Sequence, residues 1–168
     1  MANTDKNQAV IDFLMTCPVI RANLLYFNFL NAKDKSKQII TVDTPKNQAY
    51  IDGSVPKQYM FSIVDFQSVT YQPIPINTVV PGTTEMTQYV SENVTDMQLV
   101  QGILDWVNEQ NDLQNYPDFG KDCQIDEMKT TTNIPRLNGV DTQVTPALAK
   151  YSITIQIDYL DMSKMLWK

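Results

Sequence analysis

Residues 151–161 read "YSITIQIDYLD". Tyr151, Ile153, Ile155, Ile157 and Tyr159 alternate with Ser152, Thr154, Gln156 and Asp158, so a strand here buries one face and wets the other. Upstream, "YIDGSVPKQYMFSIVDFQ" (50–67) places a turn, Asp52-Gly53-Ser54, before a second long apolar run. Pro56 limits pairing, so the strand is predicted from about Lys57 to Tyr71, with Tyr59, Phe61 and Ile63 on one face. Past Ile63 the apolar parity moves to Val64 and Phe66, then back to Val69 and Tyr71, which predicts a bulge or a change of covering layer. A strand this long serves two neighbours.

Three further strands are weaker. "RANLLYFNFLNA" (21–32) is apolar on both alternating faces, as in a strand covered on both sides or one that meets a neighbouring subunit. "KDKSK" (33–37) reads as a solvated loop, and "QIITVDT" after it as a β-branched strand forming a hairpin with the first. "CQIDEMKTT" from Cys123 alternates only loosely.

Two helices complete the set. Residues 4–16 have N-cap candidates at Asn3 or Thr4 and bring Val10, Phe13 and Leu14 onto one face, with Cys17-Pro18 as the stop. In 93–112, Met97, Val100, Ile103, Leu104 and Val107 recur at spacings of three and four. Gly102 inside that helix predicts close packing, since glycine there costs roughly 1 kcal/mol against alanine. The expected fold is α+β, a mainly antiparallel sheet of about five strands with two principal helices on one face. One domain spans 1–168, with long loops at about 72–92 and 133–147; the latter holds an Asn-Gly turn at 138–139.

Composition narrows the chemistry. The 168 residues carry a net charge of −6 and no histidine, which removes Ser-His-Asp and Cys-His catalysis and histidine-based zinc sites. The few basic residues are scattered, which disfavours binding to a phosphate backbone. No apolar run approaches the roughly 20 residues of a membrane span, and no export signal or phosphate-binding glycine loop is present. Asp122, Asp126 and Glu127 offer a carboxylate group for a divalent cation or acid-base work, the basis of a low-ranking alternative, a small metal-dependent enzyme. Solvated strand-end charges account for them more simply. Cys17 and Cys123 read as buried free thiols and Trp106 as a core or interface anchor. No catalytic residue, metal or cofactor is expected.

In order and spacing, "YIDGSVPKQYMFSIVDFQ", "ILDWVNEQN" and "AKYSITIQIDYL" resemble a family of tailed-bacteriophage minor capsid proteins whose members look like tail terminators. The resemblance spans well over half the chain and rests on no single motif. It implies a homohexameric ring on the last ring of the tail tube protein. Such a ring stops tube growth and offers its other side to the head connector or neck protein, while genome DNA passes through the bore unbound. A head-completion or neck adaptor is the alternative within the same virion. Tyr59, Phe61, Phe66, Trp106, Tyr151, Asp52 and Gly53 are the structural or interface candidates, with the strand of residues 57–71 passing to a subunit boundary beyond Val64.

Overall fold

The computed structural model describes residues 5–21, 24–28, 35–44, 47–69 and 92–166. The elements run α1 (Lys6–Leu14), α2 (Pro18–Arg21), β1 (Leu24–Phe27), β2 (Ser36–Val42), β3 (Val55–Ser68), α3 (Glu92–Asp112), β4 (Cys123–Thr130), β5 (Arg136–Asp141) and β6 (Leu148–Asp161). Six strands form one sheet in the order β1-β2-β3-β6-β4, with β5 also paired to β6. The fold is α+β, and every pairing is antiparallel except β1 with β2.

At the centre, β3 and β6 pair along all fourteen residues of each. Their opposed residues Phe61–Ile155 and Ile63–Ile153 share a face with Ile39 of β2, and all are buried. Val10, Phe13 and Leu14 of α1 and Val100, Ile103, Leu104 and Val107 of α3 join them in one apolar cluster, so the helices cover this face. The other face is mostly polar and half-exposed: Ser62 bonds Thr154 (2.8 Å) and Gln156 bonds Asp158 (2.7 Å).

Local expectations are corrected in several places. Asp5 caps α1, accepting from the Asn7 amide at 2.9 Å, one residue beyond Asn3 and Thr4. The apolar run from Arg21 is a strand only at Leu24–Phe27, after the short helix α2, which begins at Pro18, a residue that suits a first helical position. Its pairing with β2 is parallel, not a hairpin: Leu25 and Phe27 lie alongside Lys37 and Ile39 and extend the packing of the core. "KDKSK" is no solvated loop at its end, because Ser36 and Lys37 open β2 and are buried.

No bulge interrupts β3; its register with β6 is unbroken. The parity shift past Ile63 arises because Asp65, Phe66 and Gln67 are all buried, so both faces are covered there. The bulge lies in β4, between Ile125 and Glu127, and it turns Met128 into the core after the looser Cys123–Ile125 stretch. Cys123, on that sheet edge, is half-buried rather than buried; both thiols are free. The region 133–147 contains β5, whose backbone satisfies Leu148–Ser152 of β6. Asn138-Gly139 forms a bulge in it instead of a turn, with Gly139 at φ +143°. The connection at 72–92 lies outside the described residues up to the start of α3 at Glu92.

Candidate interface surfaces

The structure distributes the sequence-predicted candidates among distinct places. Tyr59, Phe61 and Tyr151 belong to the covered face: Phe61 and Tyr151 are buried, and the Tyr59 hydroxyl donates to Asn7 Oδ1 of α1 at 2.6 Å. Burial pushes the Tyr59 and Tyr159 phenols up to about 12. With Phe119 the two rings form an edge-on stack, and the Lys6 ammonium lies 5.8 Å from the Phe119 centroid and 5.5 Å from that of Tyr159. These contacts fix α1 to the sheet.

Phe66 points to the opposite face, where the Lys150 ammonium sits 5.9 Å from its ring. It is buried within the protomer together with Asp65 and Gln67. Lys37 Nζ donates to Asp65 Oδ1 at 2.9 Å and Gln67 Nε2 to Asp65 Oδ2 at 2.8 Å, with Lys37 1% and Asp65 0% exposed. An internal charged pair thus occupies the covered face at the far end of β3. Trp106 is half-buried and stacks on Phe13 at 5.0 Å, joining α3 to α1.

Asp52 and Gly53 serve a clamp. Asp52 Oδ1 accepts from the Ser54 amide (2.9 Å) and hydroxyl (2.6 Å), bonds that hold its carboxyl below the usual range. Gly53 adopts φ +86°, and the carbonyl oxygen of Lys164 occupies the space where a Cβ would stand. The Leu166 amide donates to Asp52 O at 2.9 Å, so this turn holds the segment after β6. Beside it, Asp161 pairs with Lys57. Burial pushes the Asp161 carboxyl up, but Lys57 and the Ser163 hydrogen bonds outweigh it and hold the group well below the carboxylate range.

Charge is segregated between the layers. α1 with its cap contributes −1 (Asp5 and Asp12 against Lys6) and α3 contributes −5 (Glu92, Asp96, Asp105, Glu109 and Asp112, with no Lys or Arg). Together they equal the net charge of the whole chain, −6. Asp105, Glu109 and Asp112 form an exposed stripe on α3 opposite Val100, Ile103 and Val107. Glu109 and Asp112 sit in the last turn, where the helix dipole disfavours negative charge.

Next to that turn, a groove of about 410 Å³ runs between α1 and the loop after α3. It is lined by Ala9, Phe13, Tyr116 and Pro117 together with three carboxylates, Asp5, Asp12 and Asp118. Each of the three accepts a local hydrogen bond, and none forms an ion pair among the described residues. Elsewhere, the sheet edge at β5 exposes Ile134 (64%), Leu137 (53%) and Val140 (42%), and the Asn133 carbonyl just before it accepts from Gln101 of α3 at 3.5 Å. Arg136 there is also exposed and makes no ion pair among the described residues, whereas Pro135 is buried.

The carboxylates of β4 do not converge. Glu127 turns to Lys129, which also holds Asp158, and Asp126 lies exposed at the bulge. Among the described residues no group of three or more acidic, Cys or His side chains is placed to hold a metal, and no helix is long and apolar enough to cross a membrane. The sequence reading had no signal for the groove, which joins residues more than a hundred positions apart, or for the edge at β5, whose residues alternate in neither polarity nor burial. The chain matches no family model, and no curated protein is found to be similar to it.

Proposed function

We propose that this chain is a structural virion protein, a tail terminator. In this reading it forms a ring that caps the tail tube, stops its polymerisation and joins it to the head connector at the tail–head junction. No catalysis is involved. Beside the ordered resemblance of three segments to that family, the observation that carries the reading is the charge segregation: α1 with its cap and α3 together carry −6, as much as the whole chain, including acids at the dipole-disfavoured end of α3. Six copies bring −36, six times −6. With the helical layers toward the bore, that charge repels DNA phosphates and lets the genome pass without adhering.

Disruption of the gene in its virus, followed by negative-stain imaging of the lysate, tests the role. Overlong tails separated from filled heads are expected. Tails of normal length, capped but unattached to heads, would replace this reading with that of a head-completion or neck adaptor.

A further inference from the structure

The groove at the C-terminal end of α3 and the exposed corner at β5 are complementary, yet they cannot meet within one chain. The groove combines aromatic and apolar walls, Phe13 and Tyr116 among them, with three carboxylates that lack a cation among the described residues. The corner presents a guanidinium, Arg136, with no ion pair among the described residues, between exposed Ile134 and Leu137, held in place because Pro135 is buried and Leu137 is paired to Tyr151. An arginine has the aliphatic stem and the planar charged head that such walls and carboxylates accommodate. The groove end is tied to β6 near Ile157–Tyr159, through Tyr59 and Phe119, whereas β5 pairs with Leu148–Ser152. Arg136 is level with Ser152, so five to seven residues of extended chain, roughly 17–23 Å at 3.3 Å each, separate the corner from the groove end.

We infer that the occupant of the groove is a second copy of this chain, which inserts its Ile134–Leu137 corner there. Because two different patches are used, the contact is head-to-tail, and repetition gives a ring where the rotation closes. The inference rests on the ring reading and supplies its subunit contact. Flat pairing of the β4–β5 edge with another sheet is a poorer route, since both strands carry bulges.

Light scattering on the purified full chain tests the contact with three proteins. The wild-type chain is expected to self-associate at low salt and to weaken as salt rises. Arg136→Glu, and separately the pair Asp12→Lys with Asp118→Lys, are each expected to weaken association about tenfold or more by placing like charges together. Mixing the two variants restores it, because each then offers the other a complementary end. Circular dichroism verifies that each variant is folded, and Asp12→Asn with Asp118→Asn replaces the lysine pair if that one is not. A wild-type chain that stays monomeric near millimolar concentration, variants that associate as before, or a mixture that gains nothing would each overturn the contact. Overlong tails in the gene disruption alongside any of these results would leave the terminator reading standing. Restored association in the mixture alongside normal tails would do the reverse.

Discussion

Lys37 and Asp65 are fully buried, although the sequence around Lys37 suggests a loop. They face each other across the β2–β3 register, so their pairing fixes which residues of the two strands oppose one another. A slip by one residue would leave each charge without its partner in an apolar setting. Removing one member should be far worse than removing both. Lys37→Met removes the countercharge of the buried Asp65 carboxylate and is expected to cost about 3–5 kcal/mol, whereas Lys37→Met with Asp65→Leu should recover most of that loss. Urea unfolding of the two variants reads the difference. A single variant as stable as the double one would mean that water reaches Asp65.

At the scale of elements, legibility in the sequence followed one-sidedness of burial. β6 is covered on one face and wetted on the other, so its alternation is plain, and the apolar stripe of α3 is plain for the same reason. β5 is exposed on both faces and carries no pattern; its existence depends on β6 requiring backbone partners along Leu148–Ser152, a tertiary demand. At the end of β3 the parity shift left a bulge and a change of covering layer as alternatives, and burial on both faces without a break in register selects the second. Asp52 and Gly53 were legible as a turn, but its purpose was not, since the segment it holds lies more than a hundred residues away. Gly102 also looked like a close-packing position, yet a Cβ there would meet only Val19 Cγ2 at 3.5 Å, an ordinary contact. Gly102→Ala is therefore expected to stabilise the protein by about 0.5–1 kcal/mol through helix propensity, measured as a higher urea midpoint at unchanged slope. A lower midpoint would show that Val19 cannot yield even to a methyl group.

Across the whole molecule, α1 with its cap and α3 carry the net negative charge while the rest of the chain is neutral overall, and this division conflicts with what stability alone would favour. Asp105 and Glu109 are like charges four residues apart on one exposed face, and Glu109 and Asp112 oppose the dipole of α3. Replacing Glu109 and Asp112 with Lys should thus raise stability by about 0.5 kcal/mol per site in denaturant titrations at low salt, with a smaller gain at high salt. The same variant separates stability from assembly. If the acids are present to repel DNA along a shared bore, a chain made more stable by Glu109→Lys and Asp112→Lys should still cap tails when supplied to the gene-disrupted virus, yet slow genome passage. Normal tails with normal release of DNA from a demonstrably stabilised variant would detach the acidic layer from the bore, and the terminator reading would lose the observation that carries it.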